Sequence, residues 1–316
     1  MNDNRRNFKL YEESPLYQFF VSILIVIVVG GVLTFVLMLA GILMFGGDLS
    51  ALAKPATAFG ENEVVLIRYV LIVQDISCLI IPAIIILSLL KSESSEWLPE
   101  MKIPPMKEIG LVIILTFCIF SITSFTGQIN SAMHLPEGLS GLEHWMSDKE
   151  EKADKTIELL VFSNTFGIML LNLLTIAIIP AIAEELIFRG VFQRIFIGLF
   201  RSGHIAIWVT AFIFSAIHFQ VFGFIPRFIL GLVFGYLFFW SKTLWLPIIS
   251  HLINNGYPII LAFIQGWEKF NAPPAASLWK QALFLPLPIV ISLVILFYFR
   301  NKYNNRNESL NSLTFN

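Results

Sequence analysis

The sequence predicts an all-α fold, a polytopic membrane helix bundle of about eight transmembrane helices. Three observations predict it. Apolar residues make up 56% of the chain and charged residues only 14%, against roughly 25% charged in soluble domains. Mean hydropathy is +0.76. The apolar residues also gather into runs of about 20 or more, the length a helix needs to cross the ~30 Å hydrocarbon core. A net charge of −1 offers no basic surface for nucleic acid.

Taken in order, the runs are 17–45, 64–90, 108–130, 157–199, 203–221, 225–241, 243–265 and 281–299. The first is too long for a signal-peptide core and lacks a small-residue cleavage site, so it reads as a retained span. The fourth has about twice the length a span requires; with Pro180 inside it, it is either one long tilted helix or a kinked span. Lys and Arg are more frequent in loops that fall inside when the N-terminus is cytoplasmic. The charge rule for loops then predicts both termini in the cytoplasm, with the protein in the cell's inner or plasma membrane. Arg227 counts in this reading among the outer-side loop cations. Cys78 and Cys118 both lie within apolar runs and read as free buried thiols.

Two stretches are not spans. "LEHWMSDKEEKADKTIELL", residues 142–160, is acidic and helical in propensity, and predicts an extramembrane helix leading into span 4. The polar "NKYNNRNESLNSLTFN" at 301–316 lacks apolar periodicity and predicts a disordered tail. Three regions follow: 1–156, an N-terminal membrane region of three spans plus the acidic segment; 157–265, a core of spans 4–7; and 266–316, the last span and the tail.

An ionisable group inside a span costs about 2.5–3.5 kcal/mol on insertion scales, so each needs a partner or a task. In the second half of the chain the polar set is short: Glu184, Glu185, Arg189, His218, His251, Asn254 and Asn255. The first three spans are plainer, Gln74 and Asp75 being their main exception. At about 100° per residue, Glu185 and Arg189 at i, i+4 share a face and can pair. Glu184 points a quarter turn away and is left to face something else. Phe214 with His218, and His251 with Asn255, repeat the i, i+4 spacing.

Glu184 and His218 stand equally far in sequence from the turn at Arg201. In an antiparallel hairpin, equal distances place two residues at one depth, here ~25 Å along the helices. His251 lies nearer its own turn at Lys242, and its depth fits less well.

A carboxylate and an imidazole at one depth can share a water and remove its proton, the general-base step of hydrolysis. A second histidine with an asparagine on its face offers N–H donors to an oxyanion. Alternatively, Glu184, His218 and His251 form a two-histidine, one-carboxylate set of the kind that holds catalytic zinc. Intramembrane histidines also serve simply as interhelical hydrogen-bond donors and acceptors. A proton-relay transporter would use the same groups, but the symmetry between halves that transporters often carry is missing.

"EELIFRG", "FSAIH" and "HLINN", in that order, resemble the motif set of the CAAX prenyl protease and bacteriocin-processing (CPBP, or Abi-type) family of intramembrane endopeptidases. That pattern is two Glu with an Arg four residues after the second, then Phe-x-x-x-His, then His-x-x-x-Asn. The resemblance covers about residues 155–265, spans 4–7, and implies that the core is the catalytic part. It implies an endopeptidase hydrolysing a peptide bond of a membrane-associated protein or peptide, with that substrate and the lipid bilayer as partners. By the same resemblance Glu184 and His218 activate water, His251 and Asn255 stabilise the oxyanion, and Glu185, Arg189 and Phe214 give structural support. Family members are described both as metalloproteases and as metal-independent enzymes. Asn255 after His251 favours the metal-independent form, leaving a divalent metal, zinc, on Glu184, His218 and His251 as the alternative. The family also includes relatives linked to bacteriocin self-immunity, so the alternative function is a non-catalytic membrane scaffold or immunity protein that keeps the fold.

Overall fold

A computed structural model describes residues 10–45, 61–91, 102–133, 136–161, 165–270 and 277–313. Its principal helices are α1 (Pro15–Phe45), α2 (Val64–Leu89), α3 (Met106–Ser131), α4 (Ser140–Val161), α5 (Phe166–Phe200), α6 (Gly203–Ala216), α7 (Phe224–Ser241), α8 (Trp245–Gln265) and α9 (Leu278–Asn304). Among the described residues, seven helices are long and apolar enough to cross a membrane: all of these except α4 and α6. The chain is an integral membrane protein with an all-helical bundle.

Local chemistry sets the ends. Ser14 accepts the Tyr17 N–H and precedes Pro15 at the first position of α1. Thr165 and Ser202 accept the N–H groups of Ile168 and Ile205 and open α5 and α6 in the same way. Each such side-chain cap satisfies one of the N–H groups that a helix start leaves without a partner. Arg201 (φ 51°) and Lys242 (φ 60°) take left-handed conformations, which close α5 and α7 and turn the chain tightly into α6 and α8.

The predicted span 203–221 is corrected by the structure. Its helix has 14 residues, about 21 Å at 1.5 Å per residue, which is short of the hydrocarbon thickness. It stops at Ala216, and Phe219 adopts φ 53°, a conformation no helix continues through. The remaining residues form the turn that carries His218. The fourth run is resolved as well. Residues 157–161 close the acidic helix α4, and the rest is one helix of 35 residues that passes Pro180 without a break. The polar tail, expected to lack structure, continues the last helix to Leu313. Two contacts account for the start of this extension: Lys302 and Tyr303 both donate to the buried Glu108 carboxylate of α3, Tyr303 Oη at 2.6 Å.

α5 is the central element. One side packs through Ile187, Val191 and Ile195 against Ala83, Ile86 and Leu87 of α2. Ala177 packs with Ile259 of α8. Two side chains lace it to α7, Arg189 donating to the Gly231 carbonyl at 3.1 Å and Gln193 to the Gly235 carbonyl at 3.0 Å. The same glycines let α7 lie close to α6: a Cβ on Gly231 would stand 3.0 Å from Ala211 Cα, and one on Gly235 2.8 Å from Ile207 Cγ2.

The pentapeptide Ile-Ile-Pro-Ala-Ile occurs at 80–84 and again at 178–182. Both copies follow a π-helical segment, Asp75–Ile80 in α2 and Leu173–Ile178 in α5. Their alanines, Ala83 and Ala181, are fully buried. Segment Asp75–Ile80 packs directly on Ile179–Glu185. π-Helical turns are rare and gather at functional sites; here one lies on each side of the glutamate pair, at Leu173–Ile178 and Leu186–Phe192.

Candidate active site

Pro180 prepares the segment that carries the glutamates. It has no N–H, so the carbonyl of Ile176, four residues earlier, has no α-helical donor. Asn255 of α8 reaches that carbonyl with Nδ2 at 3.4 Å, while its Oδ1 accepts from Asn254 Nδ2 at 3.1 Å. The side chain expected to serve an oxyanion thus spends one N–H joining α8 to α5. Asn255→Leu is expected to destabilise the protein by about 1 kcal/mol, the net worth of such a bond. The loss should shrink in Pro180→Ala, which returns a helical N–H to the Ile176 carbonyl. Thermal unfolding of the two single variants and the double variant measures this coupling.

Glu185 and Arg189 pair as their spacing predicts, Arg189 Nη1 donating to Glu185 Oε1 at 2.8 Å with both side chains fully buried. The same oxygen accepts His251 Nδ1–H from α8 at 2.9 Å. Glu185 therefore orients the histidine as well as locking its own helix, a contact between helices that no single motif reveals. The Arg189 guanidinium stands 4.8 Å from the Phe214 ring centroid and 5.3 Å from that of Phe234. Phe234 also stacks on His251, centroids 4.9 Å apart and planes 22° from parallel. The sequence reading omitted Phe234 because a phenylalanine in an apolar helix carries no signal of its own.

A carboxylate only accepts, so His251 carries its proton on Nδ1, and in the neutral ring Nε2 presents a lone pair. That Nε2 lies 3.9 Å from Glu184 Oε2. Glu184 Oε2 has no hydrogen-bond partner, and its side chain keeps 18% exposure beside the fully buried Glu185. Glu185 and not Glu184 pairs with Arg189, as the quarter-turn offset predicts.

His218 sits just past the end of α6. Its Nδ1 donates to the Phe214 carbonyl at 2.8 Å, which leaves Nε2 as an acceptor. The Phe214 ring lies edge-on to His218 at 5.4 Å and to His251 at 6.1 Å. Glu184, His218, His251 and Asn255 all line one cavity of about 400 Å³, together with Asn254 and Arg227. Glu184 and His218 line the same cavity, in keeping with their equal distances from the turn at Arg201. His251, whose depth fitted less well, joins them through Glu185.

Among the described residues no three His, Cys, Asp or Glu side chains gather closely enough to hold a metal ion. Glu185 and the Phe214 carbonyl hold the two histidines through their Nδ1 atoms, which leaves Nε2 of each as the free ring nitrogen.

Arg227 belongs to the cavity as well as to the end of its helix. Counted as a loop cation, it stands in the first turn of α7, in the wall of the cavity, where its Nη2 donates to Gln220 Oε1 at 2.5 Å. The acidic helix α4 covers this corner, Glu150 Oε2 accepting the Phe222 N–H at 3.3 Å. Burial pushes the Glu150 and Asp154 carboxyls above the usual carboxylate range, and the nearby Arg227 charge opposes the shift in both.

Comparison with known proteins now adds to the geometry. Residues 165–257 match the family model described as type II CAAX prenyl endopeptidase Rce1-like. The chain is 27% identical over 116 residues to the membrane-embedded CAAX protease MroQ of Staphylococcus aureus (strain USA300), covering 35% of this chain and 47% of that protein. It is 29% identical over 89 residues to the uncharacterized protein YpbD of Bacillus subtilis (strain 168), covering 27% of this chain and 42% of that protein. The chain spans under half the length of these curated relatives. No solved structure matches it. The matched stretch holds Glu184, Glu185, Arg189, Phe214, His218, His251 and Asn255, and it is over this stretch that the helical membrane protein is similar to the Rce1-like CAAX endopeptidases.

Proposed function

We propose that the protein is an intramembrane endopeptidase that hydrolyses a peptide bond of a membrane-associated protein or peptide. The observation that carries this reading is the unpartnered Glu184 Oε2 facing the oriented His251 Nε2 across 3.9 Å, in a cavity that His218 also lines. Glu184 is the general base. It takes a proton from a water held by the acceptor Nε2 of His218, and the water oxygen adds to the substrate carbonyl carbon. The carbonyl π electrons move to oxygen. When the tetrahedral intermediate collapses, the C–N bond breaks and Glu184 returns its proton to the leaving amine. His251 Nε2 accepts a hydrogen bond from protonated Glu184 and keeps that proton beside the reaction. The second Nδ2–H of Asn255 is a neutral donor to the oxyanion. Loop charge supports a cytoplasmic position for both termini.

The reading is tested with purified protein in liposomes against a panel of lipid-anchored peptides. Wild type is expected to cleave members of the panel, and His218→Ala to do so about 10²-fold more slowly, the range for a general-acid–base partner. Equal rates would overturn the assignment of His218. Metal dependence is a separate test. Cleavage is expected to survive exhaustive chelation with no stoichiometric zinc by elemental analysis. Loss on chelation with recovery on zinc would make Glu184 and the histidines ligands instead.

A further inference from the structure

The proposed hydrolysis so far meets the charge that develops on the carbonyl oxygen with a neutral donor alone. The Nδ1–H of His251 is held by Glu185 and that of His218 by the Phe214 carbonyl. In neutral rings neither Nε2 has a hydrogen to donate. Asn254 and Asn255 each have one Nδ2–H engaged, on Asn255 Oδ1 and on the Ile176 carbonyl. The remaining donors of these groups are neutral, and the oxyanion forms in a low-dielectric surrounding where charge stabilisation is worth most.

Arg227 is the one lysine or arginine among the residues lining the cavity. Its Nη1 is buried and has no hydrogen-bond partner. The guanidinium folds back over Gly223, where a Cβ would stand 2.4 Å from Nη2 and would make the guanidinium shift. Its charge acts on Glu184 and His218 within the cavity, and on Glu150 and Asp154 of α4 outside it.

We infer that Arg227 is a further catalytic residue, the electrophile that receives the negative charge on the substrate carbonyl oxygen; this rests on the hydrolase reading. As Glu184 takes the proton from water it becomes neutral, and the charge it held reappears on the carbonyl oxygen. The total charge in the cavity does not change. Arg227, coupled to Glu184 before reaction, keeps the migrating charge in its field and donates an N–H to it. On collapse the electron pair returns to form the C=O bond, the C–N bond breaks, and the guanidinium is released unchanged.

The alternative is a latch, Arg227 serving only to hold α4 and Gln220 in place. Four variants separate the two in proteoliposomes, with a lipid-anchored quenched-fluorescent peptide as the probe. Arg227→Gln is expected to lower kcat by about 10²–10³-fold with KM within about threefold of wild type, the signature of a lost transition-state donor. Arg227→Lys is expected to fall between, since ammonium keeps the charge without the planar fork. Arg227→Ala is expected to regain activity with added guanidinium ion, which a latch role would not produce. Glu150→Gln/Asp154→Asn, which removes the acids of α4, is expected to keep kcat near wild type. Thermal unfolding checks that each variant is folded, and an unfolded Arg227→Gln leaves the decision to the lysine variant and the guanidinium rescue. The inference is overturned if Arg227→Gln keeps wild-type kcat, or if guanidinium fails to rescue while the α4 variant loses activity equally. Wild-type cleavage no faster than that of Glu184→Gln would instead remove the hydrolase reading itself.

Discussion

Glu184→Gln is expected to lower the rate of peptide cleavage by about 10³-fold, the central range for removing a general base, and to leave the fold unchanged. The two halves of this expectation come from one observation. Glu184 Oε2 has no hydrogen-bond partner, and the buried ion pair is made by Glu185. An amide of the same shape therefore breaks no pair and empties no space, but it cannot take a proton from water. Single-turnover rates in proteoliposomes, with thermal unfolding alongside, check both halves. A large loss of stability in Glu184→Gln would show that the carboxylate is structural.

Arg189→Leu is expected to show the opposite pattern, a loss of about 3–5 kcal/mol of stability, as when one partner of a buried ion pair is removed. Arg189 is fully buried, donates to Glu185 and to the Gly231 carbonyl, and lies against Phe214 and Phe234. Its removal leaves the Glu185 carboxylate buried with only His251, and parts α5 from α7. Adding Glu185→Gln to the same chain should recover part of the loss, because the unpaired charge goes with it. Thermal unfolding in detergent of the two single variants and the double variant measures this, and full additivity would contradict it. The contrast also bears on function. A membrane scaffold would lose its phenotype with Arg189→Leu and keep it with Glu184→Gln, whereas the peptidase loses it with both.

The membrane-spanning helices were legible because spanning imposes a length and an apolar composition that other local features do not override. Where that rule misled, at residues 203–221, the apolar run continued past a backbone reversal at Phe219; hydropathy carries no term for φ. The pairing of Glu185 with Arg189 was legible because it lies within one helix. The bond from Glu185 to His251 was not, since it depends on how α5 and α8 are rotated against each other. Arg227 looked like a loop cation because it stands two residues inside the start of its apolar run, and only the fold shows that this end is turned into the cavity. Pro180, where the sequence left a long helix or a kink open, works with Asn255: the helix runs on, and the carbonyl that Pro180 deprives of its α-helical donor becomes the attachment point for α8.

The whole account assumes that this chain adds water to a peptide bond through Glu184. The most direct measurement is cleavage of a lipid-anchored peptide library by purified protein in ¹⁸O-labelled water, with the products weighed by mass spectrometry. The account predicts new C-termini that carry one heavy oxygen, formed by wild type and lost in Glu184→Gln. Products formed equally by both proteins, or no labelled product from wild type, would contradict it.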